Sequence, residues 1–65
     1  MEKKLTLKAW RTNAGMTQPA LAEAIGVSKD TICRWERGDT QPRAKDIEAI
    51  EQVLNLNWSN DILLP

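Results

Sequence analysis

Apolar residues recur at helical spacing in four stretches of the chain, and each stretch is closed by a residue that ends helices. Leu7, Trp10 and Ala14 share one stripe, which predicts a first helix over residues 5 to 14 terminated by Gly15. Leu21, Ala22 and Ile25 make a second stripe. Thr17 is a good N-cap before it, and Gln18 and Pro19 fill the first turn, where a missing N–H costs nothing, so a second helix is predicted over 17 to 25. Gly26 can take the left-handed conformation that closes a helix, Val27 follows as a buried plug, and Ser28 caps a third helix over 28 to 37 that Gly38 ends. Beyond a loop from Asp39 to Pro42, the apolar positions Ile47, Ile50 and Leu54 mark a fourth helix from about Ala44 to Leu54, with Asn55 as its left-handed cap. A short fifth helix is expected to start near Asn57 or Ser59. The pattern is therefore all-α, with one core built from Leu7, Trp10, Ala14, Met16, Leu21, Ile25, Val27, Ile32, Trp35, Ile47, Ile50 and Leu54.

The third helix has an unusually divided surface. At roughly 100° of rotation per residue, Lys29, Cys33, Arg37, Asp30 and Arg34 fall within an arc of about 140°, while Thr31, Trp35, Ile32 and Glu36 occupy the other side. One face is polar and reaching, the other packed. Two capped helices hinged at Gly26, the second with such a face, form the pattern of a helix-turn-helix, whose second helix can lie in the DNA major groove and present side chains to base edges.

Specific residues carry this further: Gly15, Met16, Thr17 and Gln18; Leu21 and Ala22; Ile25, Gly26, Val27 and Ser28; Thr31 and Ile32; Trp35, Glu36, Arg37 and Gly38; Pro42; and the step from Leu54 to Leu56. At these positions the chain resembles the phage repressor and Cro type helix-turn-helix proteins, also called the xenobiotic-response-element type, from about Leu5 to Leu63. The resemblance implies a five-helix lambda-repressor-like domain occupying residues 1–65 that binds double-stranded operator DNA, commonly as a two-fold homodimer. It implies phosphate contacts from Thr17 and Gln18, where backbone N–H groups at the helix start add an anion site. Base reading would fall to Lys29, Asp30, Cys33 and Arg34, with Ser28 able to touch backbone or base. Arg34 or Lys29 suits guanine, Asp30 can accept from the cytosine amino group, and Cys33 can sit near a thymine methyl. Arg37, Thr40, Arg43 and Lys45 are candidate phosphate contacts from the following loop. Glu36, a carboxylate on the packed face, needs a positive partner. Arg11 is the candidate, since the family pairs an arginine and a glutamate at the matching positions, and the role of such a pair is structural.

Composition narrows the class. A chain of 65 residues holds a minimal core but not an enclosed active site, because so small a domain buries only about 60% of its unfolded surface. Three tryptophans, at 10, 35 and 58, are its only aromatics, and each reads as an anchor of the core or of an interface. Cys33 is the sole cysteine and there is no histidine, which excludes an internal disulfide and leaves a metal centre nothing but carboxylates. No paired carboxylates, glycine-rich phosphate loop or triad stands out, so neither enzyme activity nor a cofactor is expected. There is no signal peptide and no apolar run that would span a bilayer, which predicts a soluble, cytoplasmic protein of a bacterial or phage-infected cell, with Met1 to Lys4 as a frayed terminus.

Nine basic and nine acidic residues cancel, whereas nucleic-acid binders usually carry a basic excess. The distribution is polarised, however. Residues 1 to 15 carry four positive charges against one negative, residues 28 to 45 five against three, and residues 46 to 65 none against four. The positive portion coincides with the helix pair, and the acidic last third is expected to point away from DNA. Trp58, Ile62, Leu63 and Leu64 give the tail more apolar surface than a small monomer easily hides. Trp58, Ile62 and Leu63 are the expected two-fold interface, which would place two recognition helices roughly 34 Å apart. The expected function is a Cro-like repressor that occludes a promoter by occupying its operator. The alternative is an antirepressor or antitoxin-like protein that uses the same fold to bind another repressor, in keeping with the zero net charge and the aspartates near the reading face.

Overall fold

The computed structural model describes residues 4–64, so most of the expected frayed segment, residues 1 to 3, and Pro65 lie outside the described residues. Five helices follow one another: α1 (Leu7–Asn13), α2 (Gln18–Ile25), α3 (Lys29–Arg37), α4 (Ala44–Leu54) and α5 (Trp58–Asp61). The all-α architecture read from the pattern is the one the chain adopts.

Local chemistry sets most of the boundaries. Thr17 Oγ1 accepts the Ala20 N–H at 3.2 Å and Ser28 Oγ accepts the Thr31 N–H at 3.2 Å, so each helix of the central pair starts on a hydroxyl cap. Between them Gly26 closes α2 at φ 81°, and the N–H groups of Gly26 and Val27 both reach the Ala22 carbonyl at 2.9 Å. Gly38 closes α3 and Asn55 closes α4, both left-handed. The Glu51 carboxylate accepts the Trp58 N–H at 2.9 Å, which fixes the start of α5 against α4.

The first helix departs from expectation at both ends. Thr6 Oγ1 accepts the Ala9 N–H at 3.2 Å, so Thr6 is the N-cap and α1 begins after it. Leu5 is extended instead: its N–H donates to the Asp61 carbonyl at 3.0 Å and its own carbonyl accepts from Leu63 N–H at 2.9 Å, a parallel bridge with Ile62. Ala14, expected in the core, lies past the last helical residue and is exposed.

The core consists of Leu7, Leu21, Ala22, Ile32, Trp35, Ile50 and Ile62, with Trp10, Met16, Ile25, Val27, Leu54, Leu56 and Trp58 packed around it. Ile47 is half-buried outside this cluster. Ile62 corrects the expected two-fold interface: at 6% exposure, held by the bridge to Leu5, it belongs to the protein's own interior and offers nothing to a second copy. Among the described residues no helix is long and apolar enough to cross a membrane.

Candidate nucleic-acid interface

The two sides predicted for α3 are physically distinct. Ile32 and Trp35 are buried, while Lys29, Asp30, Arg34 and Arg37 are exposed on the opposite side. Cys33 is half-buried with a free thiol. Anchoring two apolar side chains fixes the rotation of the helix about its axis, so the polar row is displayed rather than free to roll inward. Ser28 is exposed, but its oxygen already takes the Thr31 N–H and lies 2.9 Å from Thr31 Oγ1, so capping occupies it first.

Glu36 sets the second constraint. Its side chain is 4% exposed and that of Arg11 10%, and Arg11 Nε donates to Glu36 Oε2 at 2.6 Å while Nη2 donates to Oε1 at 3.2 Å. The ion pair inferred from the packed position of Glu36 is formed. The remaining Arg11 nitrogen, Nη1, donates to the Met16 carbonyl at 2.8 Å, so one guanidinium ties α1, the turn before α2 and the last turn of α3 together. Among the described residues, no buried side-chain nitrogen or oxygen lacks a partner.

Two links at this surface were not read from the sequence. Gln18 Nε2 donates to Glu36 Oε1 at 3.0 Å, so the side chain expected on phosphate is joined to the ion pair. Spare acceptor capacity is the signal: a carboxylate has about four lone-pair sites, and one guanidinium does not fill them. The second link is an exposed ion pair between Arg37 Nη2 and Asp39 Oδ2 at 3.3 Å. Thr17, Thr40, Arg43 and Lys45 are exposed, and Thr17 Oγ1 retains its own proton after capping α2.

The geometry of capped helices, a left-handed glycine between them and a displayed polar row agrees with comparison to known proteins. A family model described as Helix-turn-helix matches residues 7–59, spanning α1 through the first half of α5. The chain belongs to the Cro/C1-type helix-turn-helix family. It is similar to the HTH-type transcriptional regulator DicA of Escherichia coli, 41% identical over 44 residues that cover 68% of this chain and 33% of DicA. The repressor protein C2 of Salmonella phage P22 is 34% identical over 58 residues, covering 89% of this chain and 26% of C2. The uncharacterized HTH-type transcriptional regulator YazB of Bacillus subtilis is 37% identical over 59 residues, 91% of this chain and 83% of YazB. Type II methyltransferases match too, with the chain spanning 13% of each. The chain thus spans a third or less of most of the curated relatives it matches, and what it shares with them is the Cro/C1-type domain. No solved structure matches it.

On the side of the domain opposite the displayed row of α3, a shallow apolar hollow is lined by Leu7, Trp35, Pro42, Trp58, Ile62 and Leu64. Leu63 and Leu64 are 51% and 58% exposed at its rim. Trp58 is half-buried, so of the three residues expected at a two-fold face, Leu63 is the most open and Leu64 joins it.

Proposed function

We propose that this helix-turn-helix domain is a sequence-specific transcriptional regulator that acts as a small Cro-like repressor by occupying its operator. The observation that carries the reading is the division of α3, with Ile32 and Trp35 buried and Lys29, Asp30, Arg34 and Arg37 displayed on the other side. Ser28, Lys29, Asp30, Cys33 and Arg34 are assigned to base edges, with Arg34 or Lys29 on guanine and Asp30 on the cytosine amino group. Thr17, Gln18, Arg37, Thr40, Arg43 and Lys45 are assigned to phosphates, which fix register without reading sequence. Two copies, joined through the exposed Leu63 and Leu64 and the edge of Trp58, would place their reading helices one turn of DNA apart. Occlusion needs neither catalysis nor a cofactor, and it places the protein with the DNA, in the cytoplasm of a bacterial or phage-infected cell.

The test is selection of bound sequences from a random double-stranded DNA library at low salt. Enrichment of an inverted repeat is the expected result. A folded protein at micromolar concentration that enriches no motif overturns the proposal.

A second reading, binding to another repressor through the same fold, draws on the Arg37–Asp39 pair, which engages a candidate phosphate ligand with the chain's own carboxylate. Arg34→Glu combined with Arg43→Glu separates the two. The charge reversal abolishes DNA binding if the surface serves an operator, and leaves partner binding largely intact if it does not.

A further inference from the structure

We propose that Glu36 is a positioning residue for DNA: from inside the domain it fixes the side chain of Gln18 as the phosphate donor at the start of α2. This rests on the DNA-binding reading above and adds to it a residue that touches no DNA. Donor supply at that helix end is the starting point. Pro19 has no N–H, that of Ala20 is taken by Thr17 Oγ1 at 3.2 Å, and that of Leu21 by the Thr17 carbonyl at 3.0 Å. The Gln18 backbone N–H has no partner among the described residues. Apart from the Thr17 hydroxyl, Gln18 therefore supplies the donors that face an approaching phosphate, one from its backbone and one from its side chain.

A glutamine amide is ambiguous for this task. Its carbonyl and NH2 ends are nearly the same shape, but one accepts and the other donates, and an unrestrained side chain samples many rotamers. Glu36 removes the ambiguity. A carboxylate only accepts, so it takes the NH2 end of Gln18, with Nε2 to Oε1 at 3.0 Å, and leaves the second N–H of that nitrogen for a phosphate oxygen. The holding group is itself immobile. The Glu36 side chain is 4% exposed and also receives Arg11 Nε and Nη2, so the amide is anchored to a carboxylate that the protein interior already holds. Ordering Gln18 in advance lowers what binding must order. Because Glu36 lies within α3, the grip on the backbone and the placement of the reading helix are set by one carboxylate.

The test is a thermodynamic cycle on the full chain with a short mixed-sequence DNA duplex at low salt, since a phosphate contact is independent of sequence. Gln18→Ala is expected to weaken binding roughly tenfold in the parent, the worth of a hydrogen bond to a charged group. In an Arg11→Met, Glu36→Met background, which replaces the ion pair by apolar side chains, the same change should cost less than about twofold. Equal losses in both backgrounds overturn the proposal, as does no loss in the parent. Where the double-methionine protein does not fold, the Gln18 side-chain NH2 resonances of the parent decide: one proton should shift on adding duplex while the one on Glu36 stays. Both shifting, or neither, overturns the proposal. A parent that binds no duplex removes the DNA-binding reading itself, which distinguishes that failure from a failure confined to Glu36.

Discussion

Trp10 donates its indole N–H to the backbone carbonyl of Asp61 at 2.8 Å, joining α1 to the end of α5. The same carbonyl accepts the Leu5 N–H at 3.0 Å, so one oxygen fastens both the first helix and the extended segment before it to the C-terminal turn. Trp10→Phe keeps most of the apolar ring and removes the donor. We expect a loss of about 1 to 2 kcal/mol in urea unfolding, part lost hydrogen bond and part lost packing. Faster amide exchange at Leu5 and Leu63, with the centre of α3 unchanged, would place the effect at the clasp. Uniformly accelerated exchange would show instead that Trp10 supports the whole core.

The Arg11–Glu36 pair invites a comparison of one deletion with two. Arg11→Ala strands a carboxylate that is 4% exposed and also frees the Met16 carbonyl, so a destabilisation of roughly 3 kcal/mol is expected by chemical denaturation. Replacing both partners with methionine should recover much of that loss, because no buried charge is then left alone. An Arg11→Ala protein as stable as the parent would show that the charge is solvated.

At Gly26 the requirement is conformational and not spatial. A Cβ built there meets nothing within 4 Å, but the residue sits at φ 81°. Gly26→Ala should therefore cost on the order of 1 to 2 kcal/mol through the backbone alone. Gly26→Asn should cost less, since asparagine tolerates the left-handed region, as Asn55 does here at φ 54°. Thermal melts of the two variants provide the comparison, and equal losses would point to a packing clash instead.

Helix ends were legible in the sequence because capping is local chemistry: Thr17, Ser28, Gly26, Gly38 and Asn55 each act on backbone groups a few positions away. The displayed face of α3 was legible for the same reason, since helical rotation alone separates Lys29 and Arg34 from Ile32 and Trp35. What escaped depends on residues distant in sequence. The apolar stripe of α1 continues through Ala14 even though the helix stops at Asn13, and Leu5, read as the start of that helix, is held extended by backbone bonds to Asp61 and Leu63. Ile62 reads as surplus apolar surface until its bridge to Leu5 is known. Gln18 and Glu36 were each assigned a separate duty, and only folding brings the amide to the carboxylate.

On the proposed DNA-binding reading, Asp39 would compete with the DNA backbone for Arg37. Their pair spans 3.3 Å between side chains that are 50% and 68% exposed, so it is readily broken, and Asp39 itself adds repulsion near phosphates. Asp39→Asn should tighten binding to a mixed-sequence duplex by roughly two- to fivefold and steepen the dependence of log affinity on log salt concentration. Titration at several salt concentrations measures both. Unchanged affinity and slope would place Arg37 away from the DNA backbone.

The burial of Ile62 changes how the proposed two-fold face is tested. Ile62 variants report on the core, whereas Leu63 and Leu64 stand open beside the hollow against Trp58 and Pro42. Two exposed leucines next to a shallow apolar surface lose water contact if a second copy covers them, at about 25 cal/mol per Å² removed from solvent. Leu63→Glu with Leu64→Glu puts charges into that contact and leaves the core side chains in place. Sedimentation velocity should then show a monomer at concentrations where the parent is dimeric. Affinity for an inverted-repeat site should fall far more than affinity for a single half-site, because the second copy no longer arrives with the first. A variant that remains dimeric would assign the interface to another surface, such as the one around the exposed Val53 of α4.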